Sequence, residues 1–485
     1  MSMTLEQGPQ AAFAAADIGV QMDPRLQKII AKRQAGIMHE ATASAQPDEV
    51  AVVAKVTSRS AWEALSEVRT PRQIGSRNPD DKTIIVTGRI PASRIESIRT
   101  LDFVRSLKAA QSLRPSLAEG VEETQARPDQ MPPGSLSNGG ADVVVGIIDY
   151  GGDFAHRNFM TGAGKTRLLS IWHQGGQRVG TGSVPYGREY SREEIDAALT
   201  QPNPYLALGY GPSVDTPFST GTHGTHVMDI AAGNGLGSGA AGFAPNADLI
   251  FVDVLHEVPF SGPEVVGSSF GDSVMLLEAI DYIFEKAGSR PCVINISLGT
   301  NGGPHDGTTL VETGIDRLLA GAANRAVTIA ASNSFDDGIH AAGEIPADSH
   351  VDLQWRIRAG DRSDNELEVW FAAGDRVTLE LIAPGGQSVG SIPPGGNGQV
   401  LGSSGQVVVF AANRLGDPNN GDNMIGVFLD QTATAGTWTV RLHGSDIHDG
   451  AFHAWIERDN VTQSSFAPPH NNTHTVGSIS CGKDV

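Results

Sequence analysis

Cysteine is almost missing from this chain. Cys292 and Cys481 are the only two in 485 residues, too few for a disulfide framework, and nothing in their spacing says that they pair. No apolar run approaches the roughly 20 residues that cross a bilayer as a helix. The first residues, MSMTLEQGPQAAFAAADIGVQ, include early acids and lack the apolar core of a secretory signal. The cytoplasm is therefore the expected compartment, with export by a route that uses no cleavable signal left open. Positive charge is also short: 35 Lys and Arg stand against 55 Asp and Glu, a formal net charge of −20. That argues against nucleic acid or a membrane as a partner, since nucleic acid and anionic lipid both demand basic patches. There are no internal repeats and no low-complexity tract of note.

What is present in quantity is glycine, 58 residues, and a 39 % hydrophobic fraction that can fill real cores. The length suits about three domains. Residues 1–48 are Ala/Gln-rich, with one weak helical stretch, and are expected to be partly ordered. A compact pattern follows over 49–113. EVAVVAKV alternates like a strand, SAWEALSEV reads as a helix and KTIIVTGRI as a strand. PASRIESIRTL has Pro at a helix start with Ile95, Ile98 and Leu101 on one face, and FVRSLKAAQSL closes the unit as a strand. This order, β-α-β-α-β, predicts a small α+β module. Residues 114–140 have the Pro, Gly and Ser content of a linker.

From 141 the style changes. DVVVGIID, ADLIFVDVL, PCVINISLG and AVTIAASN are continuous apolar runs, separated by helical periodicity at 224–233, 272–287 and 308–324. Apolar strands alternating with helices predict a doubly wound parallel α/β sheet over 141–344, with function at the carboxyl ends of its strands. Asp149 and Asn333 fall at such ends. Over 345–460 the pattern becomes seven or eight short alternating strands without helices, which predicts an inserted β-sandwich or jelly roll. After 461 the α/β style resumes with HTVGSIS and runs to 485.

Within THGTHVMDIAAGNG, a helix from Gly224 buries Val227, Ile230 and Ala231, placing His223 at its entrance and His226 in its first turn. A zinc helix of the H-E-x-x-H type needs histidines four apart and a glutamate, which are not here, so no metal is assigned. Taken singly, these histidines read as polar helix-entrance residues, Asp149 as a strand-end turn residue and Asn333 as a helix N-cap.

Taken together they read differently. GTHGTHVMDIAAGNG resembles the active-site histidine motif of the subtilisin-like serine proteases, H-G-T-x-V-x-x-I-x-A-G. VVVGIIDYGGDFAHRNF resembles their aspartate motif, AGFAPNADLIFVDVL their G-V-A-P-x-A-x-L segment, VINISLGTNGG their substrate-pairing strand, and AASNS their A-A-G-N motif with Ser332 at the usual glycine. The order is also the family's. The resemblance implies Asp149 and His223 as two members of a catalytic triad, Asn333 as oxyanion donor, and Ser297, Leu298 and Gly299 as a backbone edge that binds protein or peptide substrate. The chemistry fits the residue types: a serine hydroxyl needs a base to take its proton, and that imidazole needs a buried carboxylate to fix its tautomer. It also implies that module 49–113 is the protein's own propeptide, with the processing site in the linker. The insertion and the long segment 161–215 resemble the spore-germination type of bacterial subtilases.

The family's nucleophile motif, G-T-S-M-A-x-P, does not occur in the 485 residues. Ser478, Ser480 and Cys481 do not stand in a nucleophile context. The chain is therefore expected to be the N-terminal portion of a protease, inactive alone and poorly soluble because an unfinished sheet exposes a long apolar edge. The alternatives are one half of a split protease or a non-catalytic relative that binds partners. No cofactor is expected. GSGAAG follows a helix and precedes a strand, the reverse of a dinucleotide site. His443, His448 and His453, and Asp417, Asp422 and Asn423, are read as solvated loops and strand faces, with structural calcium left open.

Overall fold

A computed structural model describes residues 21–36, 48–111, 114–115, 138–177, 184–212, 222–239, 241–254, 272–459, 462–468 and 472–485. Most of the N-terminal 48 residues and the linker over 116–137 lie outside the described residues.

The weak helical stretch of the N-terminal region is α1 (Pro24–Gln34). Asp23 caps it by accepting from the Leu26 N–H, and Pro24 occupies the first turn, where no donor is needed. The module follows as β1 (Glu49–Val56), α2 (Arg59–Glu63), β2 (Arg69–Ile74), β3 (Ile84–Pro91), α3 (Ile95–Arg99) and β4 (Val104–Ala109), an antiparallel sheet in the order β2-β3-β1-β4. The strand missing from the sequence reading is β2. Its sequence, RTPRQI, is polar and contains a proline, which an edge strand tolerates and a central one does not.

A two-residue strand, β5 (Arg114–Pro115), leads to the α/β part. There β6 (Val144–Asp149), β7 (Leu168–His173), β8 (Arg188–Ser191), α4 (Arg192–Leu199), α5 (Pro204–Leu208), α6 (His223–Ala232), β9 (Asp248–Asp253), α7 (Ser273–Ala287), β10 (Cys292–Ile296), β11 (Leu298–Gly299), α8 (Leu310–Ala320) and β12 (Arg325–Ile329) follow in turn. The main sheet runs β12-β10-β6-β9-β7-β8, parallel except for the β8 edge. Val144 and Ile148 face α7 and α8, whereas Val145 and Ile147 face α6. Burial on both faces is why these strands are continuously apolar.

The edge strand β12 departs from expectation. It has five residues, Val327 is buried, and only Ala326 and Thr328 are exposed. The apolar exposure sits on the sheet face beside it, at Val293, which is 37 % exposed. That is not the long apolar edge from which poor solubility was expected.

The third part contains β13 (His340–Glu344), β14 (His350–Ile357), β15 (Asn365–Phe371), β16 (Arg376–Ile382), β17 (Ser388–Ile392), β18 (Asn397–Leu401), β19 (Val407–Arg414), β20 (Asn423–Leu429), β21 (Gly436–Asp446), β22 (Ala451–Ile456) and β23 (Ser465–Phe466). They form two sheets, β13-β22-β15-β20-β19-β18 and β17-β16-β21-β14-β23, around one core. The seven predicted strands are β14, β15, β16, β19, β20, β21 and β22; the four short ones were missed. Pairing places β13 and β23 in the sandwich, outside the 345–460 bounds read from sequence. HTVGSIS, expected to return to strand, forms a 3-10 turn at Ser478–Ser480.

Charge joins the three parts. Arg89 of β3 meets Glu278 of α7 at 2.6 Å, both fully buried, and Arg72 of β2 reaches Asp281 and Glu285. Helix α1 packs Ala31 against Phe410 and Phe428, which is why β19 and β20 are buried on both faces. Its Arg25 Nη2 lies 2.6 Å from Glu366, 2.7 Å from Glu368 and 3.7 Å from Glu457. Burial foremost, with help from Glu368 and Glu457 and against Arg25, pushes the Glu366 carboxyl up to about 7.

Two outcomes follow for this clamp. Arg25→Ala leaves buried carboxylates facing one another and should cost about 3 kcal/mol in urea denaturation. Because the Glu366 pKa is raised on folding, its protonated form is favoured in the folded state. Its contribution is complete below the ordinary value of 4.5 and is lost as pH rises through about 7. Limited proteolysis within α1 should therefore accelerate between about pH 6 and pH 8, and Glu366→Gln should flatten that rise.

Candidate active site

Asp149 closes β6 and is fully buried. The parallel register sets Asp253, at the end of β9, beside it, and His173, at the end of β7, beside Asp253. Burial pushes both carboxyls above the usual carboxylate range, against the opposing pull of His223 on Asp149 and of His173 on Asp253.

The backbone after Asp149 turns directly into the start of α6. The Gly224 N–H donates to Tyr150 O at 2.7 Å and the Thr225 N–H to Gly151 O at 3.0 Å. The Gly151 N–H donates in turn to the Asp253 carboxylate at 3.0 Å. A Cβ on Gly224 would stand 2.7 Å from Tyr150 O and 2.8 Å from the Phe251 ring. Only glycine lets the helix entrance come this close, which is the physical content of the H-G-T triplet.

That approach delivers His223. Its Nδ1 lies 2.6 Å from Asp149 Oδ1, which also accepts from the Tyr150 N–H at 2.8 Å. The Tyr150 ring stacks on the imidazole, 5.0 Å between centroids and 10° between planes. Nε2, the other ring nitrogen, is buried and has no hydrogen-bond partner among the described residues. A carboxylate on Nδ1 holds its proton there and leaves Nε2 as the basic atom, the arrangement of a general base. Asp253 and Tyr150 went unnoticed in the sequence; an acid ending the apolar run ADLIFVDVL was the signal for the first.

The other predicted residues divide. His226 is exposed on α6. Leu298 and Gly299 form β11, which pairs antiparallel with β5: Leu298 opposes Pro115 and Gly299 opposes Arg114. The predicted substrate edge is thus a backbone edge that another segment of this chain already meets. Ser297 is buried and its Oγ accepts from Asn295 at 3.0 Å. Asn333 is exposed beyond β12, two strands from β6, and no hydrogen bond links it to the Asp–His pair among the described residues. Ser332 before it takes φ = +100°, a region that suits glycine.

The remaining candidates have partners of their own. Ser478 Oγ meets Thr300 Oγ1 at 2.9 Å, and Ser480 Oγ donates to Ala330 O. Burial raises the Cys481 thiol to about 11 and the Cys292 thiol to about 12, so neither is a thiolate near neutrality. Asp417 accepts from Arg414 and faces Lys108, and the Asn423 amide donates to the carbonyls of Ala372 and Asp375. Asp422 is half-buried and its N–H donates to Asn420 Oδ1. His443 meets Glu380 at 3.0 Å and His448 meets Asp446 at 3.5 Å, so they do not converge with His453.

Gly224→Ala should cost about 1–3 kcal/mol, because an extra methyl is forced onto backbone in a close-packed site. Ser332→Gly should gain about 1 kcal/mol by relieving the positive φ. Urea midpoints of the two variants check both signs.

The family model described as the subtilase family, peptidase S8, matches residues 140–412, more than half of the chain. By structure the chain is similar to the CspB protease of Clostridium perfringens, with a TM-score of 0.59 at 22 % identity over 72 % of this chain and 69 % of that one. That likeness concerns the fold. A cold adapted subtilisin-like serine proteinase (20 % identity, 41 % of this chain, 50 % of that one) gives a TM-score of 0.24. The epidermin leader peptide processing serine protease of Staphylococcus aureus (12 %, 58 % and 59 %) gives 0.32. Neither adds to the fold assignment. With the matched span enclosing both Asp149 and His223, this chain belongs to the subtilase family of serine peptidases.

Proposed function

We propose that this chain is the Asp- and His-bearing portion of a subtilisin-like serine endopeptidase that hydrolyses peptide bonds in protein or peptide substrates. The observation that supports this best is the buried 2.6 Å contact between Asp149 and His223 Nδ1. In this reading Nε2 takes the proton of a serine hydroxyl as it attacks the scissile carbonyl, and later gives it to the leaving amine. Asp149 holds the tautomer and stabilises the imidazolium. An extended substrate pairs with Leu298–Gly299, and Asn333 donates to the oxyanion, a contact that requires it to turn toward the bound carbonyl. The chemistry needs no cofactor.

The serine itself comes, in this reading, from polypeptide outside these 485 residues, since no G-T-S triplet occurs in them. The exposed sheet face at Val293, Ala326 and Thr328 is where we place the further layer that would bring it. We read the N-terminal module as a propeptide. Its sheet rests on α7 and α8, and the chain leaving it pairs with β11 through β5, the edge a substrate would use. Cleavage would then fall after Pro115. The two-sheet insertion we read as a jelly roll.

The test starts at the DNA beyond the codon for Val485, read in all three frames. A G-T-S-M-A-like stretch there, expressed in frame, should give a peptidase, whereas the 485-residue chain alone should give none. In the extended enzyme Asp149→Asn should lower kcat by about 10⁴. An extended product whose activity ignores that substitution would overturn the reading. Activity appearing only when a separate C-terminal polypeptide is added would make it a split enzyme.

A further inference from the structure

Three histidines distant in sequence meet at the seam between the sandwich and the segment returning to the α/β part. His340 opens β13 and is fully buried; His453 lies on β22; His474 is exposed in the returning segment. One nitrogen from each lies within 4.8 Å of the others. His340 Nε2 and His453 Nδ1 are 3.0 Å apart, and the His474 ring centroid is 4.8 Å from that of His453 and 5.2 Å from that of His340.

We propose that His340, His453 and His474 form a binding site for one divalent transition-metal ion of the zinc class.

Ligand chemistry and geometry both favour this. Three imidazoles suit Zn²⁺, Co²⁺, Ni²⁺ or Cu²⁺ and not the hard ions Ca²⁺ and Mg²⁺. Metal–nitrogen bonds of about 2.0–2.1 Å in a tetrahedron place ligand nitrogens about 3.3 Å apart. The His340–His453 pair is near that spacing already, and the exposed His474 needs only a small side-chain movement to close. The fourth position then faces solvent.

Supporting contacts fix the rings. His474 Nδ1 meets Thr473 Oγ1 at 3.0 Å, which leaves Nε2 as its ligating atom. The His474 carbonyl accepts from the Trp455 indole at 2.8 Å, and that indole also stacks on His453 at 14° between planes. His474 is held at φ = +56°, an uncommon backbone state for a non-glycine residue. A hydrogen bond between His340 and His453 explains two of the three rings. It gives no reason for a third, on another segment, to be held against them in a strained conformation.

The ion would act as a staple. Three residues past His474, the Gly477 N–H donates to Ala331 O at 3.0 Å, and the Ser478 N–H donates to Thr300 O at 3.2 Å. Fixing His474 therefore fixes a segment that abuts both the Ser332–Asn333 turn and the end of the β11 edge. The metal would steady those two walls without entering the chemistry of Asp149 and His223.

The test uses the untagged 485-residue chain, stripped with chelator and titrated with Co²⁺ alone. We expect visible d–d absorption that saturates at one equivalent, is displaced by Zn²⁺, and is accompanied by a rise in Tm. His474→Ala, on an exposed residue that should not disturb folding, and His453→Ala should each weaken binding by more than the roughly 10–100-fold that losing a mere supporting partner costs. His443→Ala, on the same sandwich but paired with Glu380, should leave it unchanged. Absence of the band, or a band that persists in both His474→Ala and His453→Ala, would overturn the proposal.

Discussion

A carboxylate at the end of β6 is sealed from water, and the local structure is arranged around that fact. Desolvation pushes the Asp149 carboxyl above the usual carboxylate range, against its use as an orienting charge. What counters it is the imidazole of His223, and that ring arrives only because α6 begins within backbone hydrogen-bond distance of the turn after β6. Gly224 permits the approach, the Gly151 N–H anchors the turn to Asp253, and Tyr150 flattens the ring against its own face. Each of these is a packing or backbone requirement with a chemical consequence: Nδ1 is committed to the carboxylate, and Nε2 is left without a partner among the described residues.

The charge balance has a similar logic. A chain with an excess of 20 acidic groups must place its few cations carefully. Several of them lie between its parts: Arg89 against Glu278, Arg72 against Asp281, Arg25 among three glutamates, Lys108 against Asp417. Buried ion pairs contribute little net stability compared with apolar contacts, yet breaking one is costly. Such joints fix orientation strongly; the two-sheet part keeps its own core, while Ala51, Val53, Ile74 and Ile85 of the module share the core of the α/β part. The module's departing strand, β5, pairs with β11.

How much of this was legible beforehand follows from how each element is buried. β6 and β9 announced themselves because burial on both faces demands unbroken apolar runs; β10 and β12 read the same way although each leaves one face partly exposed. The Asp149–His223 pair was legible because Tyr150, Gly151 and Gly224, which bring the two side chains together, are adjacent to them in sequence. The edge strand β2 and the short β13, β17, β18 and β23 were not, since two to six residues with one wet side leave no periodicity to read. Nor could sequence show that β19 is covered on its outer face, because its cover, α1, lies some 370 residues upstream. His443, His448 and His453, read as solvated loops and strand faces, do not come together. These neighbours in sequence are divided between β21, a turn and β22, and His453 lies instead near His340 of the adjacent strand β13 and near His474 of a distant segment.

The central claim is the protonation geometry of one ring, and it can be tested in the 485-residue chain without any nucleophile. Selective ¹⁵N labelling of histidine, with His223 assigned by substitution, reads the tautomer from the two ring nitrogen shifts. The account predicts that neutral His223 carries its proton on Nδ1, in a strong hydrogen bond that Asp149→Asn abolishes. A ring found with its proton on Nε2, or one whose shifts ignore the loss of the Asp149 carboxylate, would contradict it.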